Sequence, residues 1–123
     1  MRPDNHDAAL LADMLEFAER ASSYVRGRTL EEYLSNDMLR SAVERVVQII
    51  GEAASKVSTE FRTAHPEVPW RPIIAQRHIL VHDYGELDDD KIWRVATVHV
   101  VALVVLLRPL LPPPPPDPLP EPD

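Results

Sequence analysis

The sequence predicts an all-α protein: a helical bundle of four main helices plus short helices, closed by a Pro-rich tail. Three observations predict it. Apolar residues recur at steps of three and four along most of the chain, the spacing that lines one face of a helix. Recognisable helix-start residues stand ahead of these runs. No segment shows the apolar–polar alternation of a half-buried strand.

Taken in order, the first helix runs from Asp7 to Val25, with Leu11, Met14, Leu15, Ala18 and Ala21 on its apolar face and Gly27 as its stop. Thr29-Leu30-Glu31-Glu32 is a capping box that opens a short helix to Leu34. Asn36 or Asp37 then caps a long helix to about Val57, whose stripe is Leu39, Val43, Val46, Ile50, Ala53 and Val57. Gly51 costs that helix roughly 1 kcal/mol against Ala, which a close helix crossing explains. A short helix over Ser58 to His65 precedes the rigid connector Pro66-Glu67-Val68-Pro69-Trp70. Pro72 suits the first turn of the next helix, which carries Ile73, Ile74, Arg77, Leu80 and Val81 towards Tyr84-Gly85. Asp88 caps the last helix, from Asp89 to about Leu107. Residues 112–116 are all Pro, so the predicted partition is a helical domain over 1–111 and a disordered or polyproline II tail over 112–123.

The totals narrow the function classes. One domain of 123 residues can bury a real core. The absence of cysteine excludes disulfides and thiol catalysis. With no signal-peptide pattern at the N-terminus, a cytoplasmic location is expected. The apolar run Val95 to Leu107 is too short for a bilayer and reads as a buried helix, so no membrane partner is expected. A net charge of -7 argues against a protein that coats nucleic acid. That charge is uneven: from Arg62 to His82 there are three Arg (Arg62, Arg71, Arg77) and three His against a single acid, Glu67. Any anion site is therefore local.

The segment Arg77-His78-Ile79-Leu80-Val81-His82-Asp83-Tyr84 carries the chemistry. Arg is permanently charged and forks two hydrogen bonds onto a phosphate; His exchanges a proton near neutral pH. Together they suffice for phosphodiester chemistry without a metal. On an ideal helix, however, Arg77 and His82 diverge by about 140°. Either the helix ends or distorts near His82, or a second subunit brings a copy of the pair across a two-fold axis. His78 and His82, four apart, are zinc-ligand spacing, but no His-Glu-x-x-His pattern or third local ligand accompanies them, and no metal is expected. The alternative reading of the segment is a helix end with a cation near its C-terminus.

Five blocks in order then resemble a known family: Tyr24 to Leu34; Ala42-Val43-Glu44-Arg45 leading to Ile49-Ile50-Gly51-Glu52-Ala53-Ala54; His65 to Trp70; Arg77 to Tyr84; and Leu87-Asp88 leading to Ile92-Trp93. Over roughly Asp7 to Leu110 the chain is similar to the HepT-like toxins of prokaryotic toxin–antitoxin pairs, within the wider group of HEPN ribonuclease domains. The resemblance implies a helical bundle that forms a homodimer, with the Arg and His of both subunits meeting in a cleft. It implies metal-independent cleavage of single-stranded RNA without a cofactor. It makes Arg77 and His82 the catalytic pair, with Arg71 supporting or touching RNA and His78 either orienting Arg77, touching RNA or simply exposed to solvent. It also implies a cognate nucleotidyltransferase antitoxin of the MntA type, able to transfer AMP to Tyr84. A non-catalytic helical accessory subunit of a nucleotidyltransferase is the rival reading.

Three further features have plainer readings. Trp70 and Trp93 could stack on bases, although core packing suits their apolar settings better. His99, inside an apolar helix, is expected to be packed and hydrogen-bonded. Asp88-Asp89-Asp90 is most simply a capped helix start.

Overall fold

Every helix start in the first half of the chain is fixed by a side chain one residue ahead of it. A computed structural model describes residues 2–82 and 89–112, with side chains for 2–76 and 89–112. Helix α1 (Asn5–Val25) opens where the Asp4 carboxylate accepts the Asp7 N–H at 2.7 Å. It closes before Gly27, whose φ of +75° is the left-handed conformation that only glycine adopts without a Cβ clash. Helix α2 (Leu30–Leu34) carries the predicted capping box: Thr29 Oγ1 accepts the Glu32 N–H and Glu32 Oε1 accepts the Thr29 N–H. Asn36, rather than Asp37, caps α3 (Asp37–Lys56), its Oδ1 accepting the Leu39 N–H at 3.0 Å. Ser58 caps α4 (Thr59–Ala64). Helices α5 (Trp70–His82) and α6 (Asp89–Leu110) complete the set, and among the described residues there is no strand.

Helix α3 is the spine. All six positions of its predicted stripe are buried, and Gly51 is buried with them. It packs against α1 on one side and α5 on the other, while α6 lies across α1 and touches α2 and α3. The core therefore joins Leu11, Met14 and Ala18 of α1 to Val43, Val47 and Ile50 of α3 and to Val95, Val100 and Leu103 of α6.

Helix α6 departs from the sequence expectation in two ways. It extends from Asp89 to Leu110, so among the described residues it is the helix long and apolar enough, by length and composition, to cross a membrane. About a third of that apolar stretch is nevertheless buried inside the fold. It also contains a π turn, Val95–His99, in which the Val100 N–H reaches back to the Val95 carbonyl. The Thr97 hydroxyl donates to the Trp93 carbonyl at 2.9 Å, competing for an acceptor of the regular ladder. The turn re-phases the helix. Ile92, Val95 and Ala96 are buried, and a uniform helix would continue that stripe to residue 99; the extra residue moves it to Val100, Leu103, Val104 and Leu107. His99 is consequently exposed, which corrects the expectation of a packed histidine.

Two polar features are buried. Asp7 is 1% exposed; its carboxylate accepts the Ser58 N–H at 2.9 Å and the Ser58 hydroxyl at 2.6 Å. It thereby ties the start of α1 to the cap of α4. Tyr33 is fully buried against Trp93, with ring centroids 5.3 Å apart, and its hydroxyl has no hydrogen-bond partner among the described residues. Burial first, then the charges of Glu44 and Asp89, push the Tyr33 phenol well above its usual range.

Arg40 stands among these acids, bonded to the Leu34 carbonyl and the Asp37 carboxylate and 3.9 Å from Asp89. Burial and then Asp89 raise the Glu44 carboxyl above its ordinary 4.5, with Arg40 opposing. A carboxyl raised in the folded state adds stability below its ordinary value and loses it as pH rises through the raised one. Glu44→Gln is therefore expected to raise Tm at pH 7 and to leave it unchanged at pH 4. A lower Tm at pH 7 would mean that attraction to Arg40 outweighs the burial cost.

Candidate functional site

The site is organised by α5, and α5 is aimed by the connector that precedes it. Phe61, fully buried on α4, packs its ring 4.4 Å from His65 and edge-on to Trp70 at 6.4 Å. The Trp70 indole N–H donates to the His65 carbonyl at 2.9 Å, and the Trp70 backbone N–H donates to Val68. Trp70 is thus a packed anchor with its polar edge satisfied, rather than an open stacking platform. His65 Nδ1 lies 2.9 Å from Glu67 Oε1. A backbone hydrogen bond, then that His65 contact, hold the Glu67 carboxyl below its usual range. Val68 is buried and Pro69 accepts the Ile73 N–H, so the two prolines turn the chain directly into α5. The Asp7–Ser58 link holds the other end of the α4–connector unit.

Arg77, His78 and His82 all lie on α5, His82 being the last of its described residues. On the helix backbone Arg77 and His82 stand about 140° apart, as the spacing requires. Arg71, His78 and His82, at intervals of seven and four, lie along one face of α5. The side chains of Arg77, His78 and His82 lie outside the described ones, and Tyr84 lies outside the described residues altogether, as does Asp88. Arg71 is exposed in the first turn of α5 and pairs with no acid among the described residues.

Two concavities flank α5. One, of about 290 Å³, is apolar and lies between α3 (Val47, Ile50), α5 (Ile73, Gln76) and the π turn of α6 (Val95, His99). The other is an open groove of about 560 Å³ between α4 and α5, lined by Thr59, Arg62, Thr63, Trp70, Arg71, Ile74 and Ala75. Arg62 is fixed there, its Nε donating to the Val57 carbonyl at 3.1 Å and its Nη2 to Thr59 Oγ1 at 3.4 Å. In the sequence Arg62 stands out only as part of a basic segment, because a six-residue helix is too short for its facing to be read from periodicity. Among the described residues no three His, Asp or Glu side chains are grouped to hold a metal ion.

Residues 14–110 match the family model described as "Ribonuclease HepT-like". The chain is 36% identical over 87 residues to "Putative RNase MJ1380" of Methanocaldococcus jannaschii, covering 71% of this chain and 80% of that protein. It is 31% identical over 93 residues to "Probable ribonuclease HepT" of Thermococcus cleftensis, covering 76% and 84%. "Putative RNase TTE0752" of Caldanaerobacter subterraneus subsp. tengcongensis is 30% identical over 101 residues, covering 82% and 90%. No solved structure matches the chain. The matched region begins in α1 and ends with the last residue of α6, so it takes in the whole of α5 with its Arg and two His: the chain belongs to the HepT-like ribonuclease family.

Proposed function

We propose that this protein is a metal-independent endoribonuclease whose catalytic pair is Arg77 and His82, and that it is the toxin of a toxin–antitoxin pair. The observation that carries the reading is family membership across the helix that bears both residues. His82 takes the proton of a ribose 2′-hydroxyl as that oxygen attacks the adjacent phosphorus. The bond from phosphorus to the 5′-oxygen breaks, the 5′-oxygen is protonated, and a 2′,3′-cyclic phosphate remains. Arg77 holds the non-bridging oxygens and stabilises the charge they gain in the transition state. The angle of about 140° between the two residues favours a homodimer in which each subunit completes the other's site. The exposed stripe Val98, Val101 and Val105 on α6 (51%, 45% and 66% exposed) offers apolar surface for a second copy.

Neutralisation by a nucleotidyltransferase of the MntA type belongs to the same reading. Tyr84 would attack the α-phosphorus of ATP, its phenol proton being lost and pyrophosphate leaving. The resulting phosphodiester anion, two residues along the chain from His82, would oppose an RNA backbone by charge and volume.

The test is cleavage of total RNA by purified protein in EDTA, with Tyr84 shown unmodified by intact mass. Cleavage that survives the chelator is expected. A folded, unmodified protein that cleaves nothing would move the reading to a non-catalytic accessory subunit.

A further inference from the structure

We infer that the groove between α4 and α5 is a subsite for the flank of a single-stranded RNA whose reacting linkage lies at His82; this rests on the ribonuclease reading. The groove joins two cations, Arg62 from α4 and Arg71 from α5, with the hydroxyls of Thr59 and Thr63 over a floor that includes Ile74 and Ala75. Cations and hydroxyls over an apolar floor suit a phosphate–ribose backbone with its bases. In a chain of net charge -7 such a place stands out.

Position makes the assignment. Ile74 and Ala75, which line the groove, flank the same α5 face that carries Arg71, His78 and His82 in register. Arg71 is six residues from Arg77, about 9 Å along the axis, and eleven from His82, about 16 Å. A strand held at His82 therefore reaches Arg71 and Arg62 within a short run of nucleotides. The apolar cavity beside Gln76 lies on the opposite side of α5 and takes no part.

Arg62 is held in advance. Its bonds to the Val57 carbonyl and to Thr59 Oγ1 aim the guanidinium before any ligand arrives, so little side-chain freedom is lost on binding. Glu67, the acid in this basic segment, is engaged by His65. Glu60 stands one position round α4 from Thr59 and does not line the groove.

Binding tests this independently of cleavage. A fluorescein-labelled 12-mer bearing 2′-O-methyl riboses is titrated by anisotropy against wild type, Arg71→Ala, Arg62→Ala/Arg71→Ala, Arg71→Lys and Arg20→Ala, with folding checked by circular dichroism. The double variant is expected to bind about tenfold or more weakly. Its slope of log affinity against log salt should be shallower by about 1.4, for two lost phosphate contacts. Arg71→Lys keeps the charge and should stay close to wild type. Arg20→Ala, which removes a cation from the exposed side of α1, should match wild type. Equal binding by wild type, Arg71→Ala and the double variant would overturn the subsite, as would a wild type that does not bind. Should Arg62→Ala unfold the protein, Arg71→Ala alone decides, with a slope change of about 0.7. Wild-type binding without cleavage of the all-ribose 12-mer would instead count against the ribonuclease reading and leave the groove assignment standing.

Discussion

Replacing His82 by Ala is expected to lower the rate of RNA cleavage by about 10²–10⁴-fold, the usual contribution of a positioned acid–base group. Binding of the 2′-O-methyl 12-mer should change little, because an imidazole contributes no permanent charge to phosphate contacts. Arg77→Ala is expected to lower cleavage by a comparable factor and to weaken binding as well, since a guanidinium serves both the ground state and the pentavalent transition state. Arg77→Lys should recover binding better than rate, because an ammonium supplies charge without the planar fork. The pair of readouts is what matters. A loss of rate in both variants, with a loss of affinity only for Arg77, assigns separate roles to the two residues. Wild-type rates in either variant would remove that residue from the mechanism.

The second large effect is on stability. Asp7→Ala removes the carboxylate that accepts both the N–H and the hydroxyl of Ser58 in a nearly water-free setting. Hydrogen bonds to a charged acceptor contribute about 1.5–3 kcal/mol each, and the Ser58 donors would be left short of partners. A net loss of about 2–4 kcal/mol is expected, with Tm lower by about 10 °C or more. Asp7→Asn, which keeps one acceptor oxygen, should lose less. The same contact couples stability to function: Ser58 caps α4, α4 carries Phe61, and Phe61 seats the Trp70 anchor from which α5 begins. Thermal denaturation monitored at 222 nm measures the effect, and a change in Tm of under about 2 °C would show that the link carries little weight.

What was legible in the sequence, and what was not, follows from the range of the interactions. The α3 stripe and the Thr29–Glu32 capping box are local patterns, three or four residues long, and both stand in the structure where the spacing puts them. The HepT-like family was legible too, from five ordered blocks. The Asp7–Ser58 link was not, because it joins residues 51 apart with no local signature. The π turn of α6 was hidden for a different reason. Along a run in which nearly every residue is apolar, periodicity is uninformative, so a shift of one residue leaves no trace, and the sequence implies a packed His99 where the fold exposes it. Arg77 and His82 were legible as residue types at a definite spacing, and the helix through His82 keeps the angular divergence that the spacing implies. The excess of cations from Arg62 to His82 implied only that an anion site would be local; that Arg62 and Arg71 line one groove is visible in the fold alone.

The most direct test of the account uses one oligoribonucleotide cleaved at a mapped linkage, compared in EDTA with the same sequence carrying a single 2′-deoxy sugar on the 5′ side of that linkage. The 2′-hydroxyl is the nucleophile in this account, so the deoxy substitution should abolish cleavage at that position. The all-ribose product should show the mass of a 2′,3′-cyclic phosphate and a new 5′-hydroxyl. Cleavage of the deoxy substrate at an undiminished rate, or products ending in 3′-hydroxyl and 5′-phosphate, would contradict it.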